Sequence, residues 1–338
     1  MRITLAHGSG GREMGDLIRK LFPTEPSALS SKVPTIGIEA FDDGAVIMDR
    51  RGGIVVSADS YTVKPIFFPG GDIGKLAAYG SINDVAVMGA DPMFALDCII
   101  VEEGFPVSDL NRIVGSMIEA FRSESVDIIA GDFKVMPKGQ LDGVVITTTV
   151  MGFLEADPIL DSGAKPGDVV VVSGTVGDHG AVITAYQYGI DPEDEGLVSD
   201  CGSVLPVMRA ARRIGGVHAA KDPTRGGLGM ALNEIAKKSR VSIWVREEDI
   251  PIRENVRSLM ELLGIDPIYL ACEGRAVLVV EEERGEALLS ELKKLGYRDA
   301  RIIGEVREER PGYVIMETLA GGYRIVEEPR GELTPRIC

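Results

Sequence analysis

The sequence predicts an α+β protein of two domains, an N-terminal mixed sheet with helices on one face followed by a C-terminal α/β unit, with a mobile tail at the end. Three observations predict this. The 338 residues exceed what one hydrophobic core usually organises. Short β-rich runs alternate with longer helical patterns in both halves. A concentration of turn residues at Ala156-Asp157-Pro158 and from Asp161 to Asp168 separates the two. We therefore expect a glycine-rich segment over 1–35, a first domain over 36–156, a second over 157–326 and a tail over 327–338.

In the first domain the β-rich runs fall at 45–48, 53–58, 94–101, 126–130 and 144–153, with helical patterns at 73–88 and 107–123. The strands carry polar breaks and single strands separate the helices, which places the helices on one face. The second domain starts with Val169-Val170-Val171-Val172 and continues with helices at 180–188, 204–213 and 227–238. Strands at 242–245 and 276–280, a helix at 284–295, and strands at 301–306 and 313–317 follow. Glu281-Glu282-Glu283 fits the first turn of a solvated helix, where negative charge is favoured.

Composition narrows the function. Charged residues at 26% and apolar residues at 45% suit a soluble globular chain. A formal net charge of −16, from 36 Lys plus Arg against 52 Asp plus Glu, opposes nonspecific binding to nucleic acid or an anionic membrane, though not to a nucleotide held through metal ions. No apolar run reaches spanning length and no leader-like run follows Met1, so a cytoplasmic location is expected. Cys98, Cys201, Cys272 and Cys338 are far apart and have three histidines to join them, which disfavours a zinc site or a disulfide framework. Cys98, within Leu96-Asp97-Cys98-Ile99-Ile100-Val101, is expected to be an inert core residue.

Cys338 ends a tail with two prolines, one glycine and no period. Fully extended, twelve residues reach roughly 40 Å, so the arm could carry a covalent group into an active site and out again. A frayed end with an incidental cysteine is the bland alternative. A prenylation box is a poor fit, since it would place the cysteine fourth from the end.

Carboxylates recur where strands or helices are expected to meet turns: Asp42-Asp43-Gly44, Asp59-Ser60, Asn83-Asp84 and Gly131-Asp132-Phe133-Lys134. Converging, they would need cations between them, and oxygen clusters attract Mg²⁺ with polyphosphate as the third party. Taken singly, each reads first as a cap or turn residue; four such sites in one domain shift the balance toward a shared role. Gly70-Gly71-Asp72-Ile73-Gly74-Lys75 lacks phosphate-loop spacing, and His7-Gly8-Ser9-Gly10-Gly11 could fold over a nucleotide through its N–H groups. Asp222-Pro223-Thr224-Arg225-Gly226-Gly227 is either a phosphate-neutralising turn or a capped helix entry; Glu273, in Ala271-Cys272-Glu273-Gly274-Arg275, is either a base or a turn residue.

Taken together and in order, His7 to Gly11, Asn83 to Ala90, Gly131 to Val135, Ser173 to Gly180, Asp222 to Gly227 and the terminal Pro335-Arg336-Ile337-Cys338 resemble the HypE family of hydrogenase maturation proteins. That family belongs to the ATP-binding superfamily of aminoimidazole ribonucleotide synthetase, selenophosphate synthetase and thiamine monophosphate kinase. The resemblance spans residues 7 to 338. It implies an N-terminal domain that forms a homodimer through its sheet, with ATP and Mg²⁺ near that interface. It also implies a carbamoyl group received on the terminal thiol from a HypF-like donor, ATP-driven dehydration to a thiocyanate, and cyanide delivery to iron on a HypC–HypD-like scaffold for a nickel–iron hydrogenase centre.

On that resemblance Asp43, Asp59, Asp84 and Asp132 are expected to hold Mg²⁺ against the phosphates, with Gly8, Ser9, Gly10, Gly11 and Asn83 around the nucleotide. Lys134 is assigned to the transferring phosphoryl group, Glu273 to removal of the carbamoyl N–H protons, and Arg225 and His218 to the pocket. Phe133 departs from the Thr common at that position in the family, which removes a phosphate-facing hydroxyl. Two other readings are weighed: a superfamily sibling phosphorylating a free small molecule, and a non-enzymatic Mg²⁺-binding carrier with a terminal thiol.

Overall fold

The computed structural model describes residues 4, 12–21, 35–37, 40, 42–49, 52–329 and 337–338. The expected nucleotide loop Gly8, Ser9, Gly10 and Gly11 lies outside them, as does most of the tail. Helix α1 (Arg12–Leu21) precedes a six-stranded sheet built from β1 (Thr35–Ile36), β2 (Ala45–Asp49), β3 (Gly52–Tyr61), β6 (Ala90–Glu102), β7 (Asp127–Met136) and β8 (Val144–Leu154). The strand order is β1-β2-β3-β8-β6-β7, antiparallel except for the parallel pair β6–β7.

A two-stranded hairpin of β4 (Phe67–Phe68) and β5 (Gly71–Asp72) leads into α2 (Ile73–Val87), and α3 (Val107–Ser123) follows β6. Asp72 caps α2, accepting from the N–H groups of Gly74 and Lys75 at 2.9 and 3.0 Å. The Gly70–Lys75 stretch is therefore a hairpin and a helix cap. Both helices cover one sheet face, as expected. Alternate residues of β8, from Val144 through Ile146 and Val150 to Leu154, are buried toward them.

The second sheet has seven strands in the order β10-β12-β9-β13-β11-β14-β15, comprising β9 (Val169–Val172), β10 (Val217–Lys221), β11 (Ser242–Arg246), β12 (Val277–Val280), β13 (Arg301–Arg307), β14 (Val314–Glu317) and β15 (Tyr323–Val326). Its helices are α4 (Asp178–Gln187), α5 (Leu205–Ile214), α6 (Gly227–Ser239), α7 (Glu254–Leu263) and α8 (Glu282–Lys294). The four valines of β9 are sandwiched. Val170 and Val172 pack with Leu228, Leu232 and Ile235 of α6, while Val171 packs with Val207 and Met208 of α5 and Leu288 and Leu292 of α8. An apolar strand buried on both faces reads as a continuous run, which is how it appears in the sequence.

The halves are not independent bodies. Ala181, Val182 and Ile183 of α4 and Leu259 and Met260 of α7 join the first domain's apolar cluster, and Ala86 and Val87 of α2 join the cluster around α5. Helix α2 is consequently buried almost all round. Arg209 and Arg212 of α5 pair with Asp91 of β6 at 2.8 and 2.7 Å across the same seam. Among the described residues no helix is long and apolar enough to cross a membrane.

Two expectations are corrected here. Cys98 is exposed on the open sheet face, away from the helices. Strand β7 runs on to Met136, so Asp132 sits in mid-strand, not at a strand end.

Candidate active site

A cleft of about 970 Å³ runs between the domains, walled by α1, the Asp42–Gly44 turn, β3, the Lys221–Arg225 loop and one face of α6. Behind it lies a smaller chamber lined by Asp59, Tyr61, Gly80, Asp84, Asp222, Thr224, Arg225, Glu273 and Cys338. Asp59, Asp84, Asp222, Thr224 and Arg225 line both. These five residues form the partition between the space at the domain seam and the terminal sulfur.

The loop that carries three of them is shaped by glycine. Gly226 and Gly227 both have left-handed backbones, φ 81° and 58°, and a Cβ on Gly227 would strike the carbonyl oxygen of Leu270. The Gly227 N–H closes the turn onto Thr224 O at 2.9 Å, and the Cys272 N–H donates to Pro223 O at 2.9 Å. Arg225 and Glu273 are thereby fixed to one another through main chain. The terminal residues reach the same place: the Thr62 N–H donates to a terminal oxygen of Cys338 at 3.1 Å, and the Ile337 side chain is buried in the first domain's apolar cluster.

The partition concentrates negative charge that the protein alone does not neutralise. Burial, then the neighbouring carboxylates Asp222, Asp59 and Asp43, hold the Asp84 carboxyl well above its usual range, although Ser57 Oγ donates to it at 2.5 Å. Burial and Asp43 push Asp222 up to about 8. Asp59 is raised by burial, with Arg225 4.0 Å away opposing the shift. Asp43 Oδ2 and Asp222 Oδ2 are buried without a hydrogen-bond partner. Lys221, nearly buried between Asp43 and Glu234, is held charged because those carboxylates outweigh its desolvation.

Such a set fits divalent cations, which need hard oxygen donors and relieve carboxylate repulsion. Among the described residues no three acidic, histidine or cysteine side chains converge tightly enough to enclose an ion by themselves. Mg²⁺ characteristically takes one or two carboxylates and completes its shell with water and phosphate oxygens, so an open arrangement suits it.

Glu273 is 2% exposed, with one carboxylate oxygen unpaired. Burial, then Asp200 and Asp222, raise its pKa well above the usual range, with Arg225 opposing. The Cys338 thiol is pushed up to about 12 by burial, against the pull of Arg225.

Of the residues expected from sequence, Asp43, Asp59, Asp84, Arg225, Glu273 and Cys338 come together here. Four others do not. Ser60, Thr147, Cys98 and Asp132 form one row across β3, β8, β6 and β7, so Asp132 stands three strands from the site, about 14 Å at the usual strand spacing. Lys134 lies beside it, ion-paired with Asp132, and both are exposed. Asn83 is buried behind the chamber: its amide donates to Gly202 O at 3.0 Å and Glu273 O at 3.4 Å, and its oxygen accepts from Val204 N–H at 2.9 Å. Asn83 therefore positions the Glu273 segment and does not line the cleft. His218 points away, bonded through Nδ1 to Asp168 at 2.9 Å and through Nε2 to Lys165 at 2.9 Å.

Sequence reasoning missed Asp222 as a cleft carboxylate, Lys221 as its resident cation and Asp200 as a clamp. Asp200 accepts from the N–H groups of His179, Glu273 and Gly274, at 3.1, 3.2 and 3.3 Å. Asp222 and Lys221 adjoin the Arg225 turn, so their position was available as a signal; Asp200 carried none.

Two family models match the chain: the N-terminal domain of AIR synthase related proteins over residues 41–154 and the C-terminal domain over 165–317. The carbamoyl dehydratase HypE of Azotobacter vinelandii is 42% identical over 345 aligned positions, covering 99% of this chain and 97% of that protein. The fold is similar to a crystal structure of the hydrogenase maturation protein HypE in complex with ATP, with TM-score 0.82, 39% identity and all of both chains covered. It is also similar to a chain of a HypE–HypF complex, with TM-score 0.83, 39% identity, 93% of this chain and 99% of that one.

Proposed function

The chain belongs to the HypE family of AIR synthase related proteins, and from that footing we propose that it is an ATP-dependent carbamoyl dehydratase acting on its own C-terminal cysteine. One observation carries the reading: the terminal sulfur lies in a chamber that shares a wall of carboxylates and a guanidinium with a nucleotide-sized cleft. The substrate is the S-carbamoyl group on Cys338. Transfer of the γ-phosphoryl group to its carbonyl oxygen converts a poor leaving group into phosphate. Loss of that phosphate with the second N–H proton leaves the thiocyanate, so carbamoyl-Cys338 and ATP yield cyano-Cys338, ADP and phosphate.

The chain's residues position and neutralise. The domain-seam cleft takes ATP with its phosphates toward the partition. Asp43, Asp59, Asp84 and Asp222 would hold Mg²⁺, which supplies charge neutralisation of the phosphates. Arg225, beside the sulfur and facing both spaces, is placed to meet the oxygen on which negative charge gathers during transfer. Glu273 takes the N–H protons. Its pKa, raised by burial and then by Asp200 and Asp222, makes its carboxylate a stronger base than a solvated glutamate, and cations arriving with the nucleotide favour the ionised form. Enclosure of the chamber excludes water, which would reverse nitrile formation. Because Cys338 fills the place a free acceptor would need, a sibling reaction on a small molecule is not favoured.

Among the described residues strand β7 is an unpaired sheet edge, and it exposes Ile129, Phe133 and Val135. With the open face of the sheet it is our proposed homodimer surface. Asp132 and Lys134 would then act at a site only across that interface. A HypF-like protein supplies the carbamoyl group, a HypC–HypD-like iron scaffold takes the cyanide, and the setting is cytoplasmic.

The test is mass spectrometry of the C-terminal peptide after carbamoylated protein meets Mg-ATP. Loss of one water from the Cys338 peptide is expected; an unchanged mass with ATP bound refutes the dehydration.

A further inference from the structure

His179 takes no part in the chemistry above, yet it is fully buried in the first turn of α4 with both ring nitrogens engaged. Nε2 lies 2.7 Å from the carbonyl oxygen of Ile337 and Nδ1 2.8 Å from Ser199 Oγ. A carbonyl can only accept, so Nε2 carries the hydrogen and Nδ1 accepts from the serine hydroxyl. Ser199 Oγ in turn accepts from the Cys201 N–H at 3.1 Å, and the Ser199 N–H is spent on Pro69 O at 2.8 Å. The ring packs edge-on against Phe68, centroids 5.2 Å apart. With the tail docked, tautomer, tilt and depth of the ring are therefore all fixed.

On the other side, Thr62 offers its N–H at 3.1 Å and its hydroxyl at 3.3 Å to the terminal oxygen of Cys338. Ile337 is 9% exposed. The last two residues are thus held through the Ile337 side chain and through their own two main-chain oxygens, which accept from His179 and Thr62, so these hydrogen bonds do not engage the sulfur.

We propose that His179 is a positioning residue for the dehydration: by holding the carbonyl of residue 337 it sets the register in which the terminal sulfur enters the chamber. The inference rests on the proposed function only for its catalytic consequence, because docking of the tail is measurable without nucleotide or carbamoyl donor.

The experiment is iodoacetamide labelling of the nucleotide-free, full-length protein, with the Cys338, Cys272 and Cys201 peptides quantified separately by mass spectrometry. His179→Phe keeps a ring and removes both nitrogens. Loss of one buried hydrogen bond is expected to raise the Cys338 labelling rate about tenfold. His179→Gln, whose amide can donate where Nε2 did, is expected to restore most of the protection. Cys272, whose sulfur accepts from the Gly177 N–H two residues before His179, reports on the local fold and should stay protected in every variant. An unchanged Cys338 rate in His179→Phe overturns the proposal. So does a parallel rise at Cys272, which would mean simple loosening, or a glutamine variant no better than phenylalanine. If Cys338 were no carbamoyl carrier, the water-loss experiment would fail and this labelling pattern would be unaffected.

Discussion

Asn83 separates two accounts of the same residue: ligand to the nucleotide, as the sequence suggested, or tie-beam behind Glu273, as the fold places it. Replacement by alanine removes the partner of the Val204 N–H at 2.9 Å and of Gly202 O at 3.0 Å, and takes a 3.4 Å contact from Glu273 O, which keeps the Gly202 N–H at 3.3 Å. Two good buried bonds at about 1–1.5 kcal/mol each, with a little from the long one, give a loss of about 3 kcal/mol for Asn83→Ala. Asn83→Asp keeps the acceptor for Val204 but turns a carboxylate oxygen toward two carbonyl oxygens in a buried site, so its loss should be at least as large. Urea unfolding without nucleotide at neutral pH measures both. The order expected is wild type, then alanine, then aspartate. Wild-type stability in either variant, combined with lost ATP binding, would refute the reasoning and return Asn83 to the nucleotide.

Glu273→Gln should slow dehydration about 10²–10⁴-fold while ATP affinity, by calorimetry, is unchanged; equal rates would remove Glu273 from proton transfer. Asp222 has a folded pKa of about 8 against an unfolded 3.8, so its contribution is fully present below the unfolded value and is lost as pH rises through 8. The urea midpoint of nucleotide-free protein should therefore fall from pH 5 to pH 8, less steeply in Asp222→Asn, and a flat profile in the wild type would contradict the burial argument. Phe133→Asp, at a half-exposed position on the β7 edge, should give a monomer by light scattering with little change in melting temperature; a persistent dimer would place the interface elsewhere.

What the sequence disclosed and withheld follows from what one-dimensional pattern can hold. Helices α2 and α3 and the valines of β9 were legible because burial imposes period or continuity on neighbours along the chain. Asp43, Asp59 and Asp84 were legible as a set because β2, β3 and α2 bring them to one side. Asp132 belonged to the same pattern of acids, but strand order places β8 and β6 between it and β3, and nothing local encodes that order. Cys98 was misread for the same reason: its apolar neighbours alternate faces, and the face it shares with Thr147 looks away from the helices. Strands β10 and β15 and helix α7 escaped because tertiary packing, more than local propensity, defines them. Asp200 shows the limit most plainly, since its three amide partners lie 21 to 74 positions away in the chain.

A sulfur whose proton leaves only near pH 12 is almost inert toward electrophiles at neutral pH. On the proposed function, the bare cysteine is chemically silent where the dehydration takes place, and that reading puts its carbamoylation in water, outside the fold. Once acylated it has no proton to lose, and the dry interior that silenced it no longer discriminates against it. Enclosure therefore imposes a sequence of events: loading abroad, conversion at home, with the unloaded arm protected from stray alkylation or oxidation whenever it rests inside.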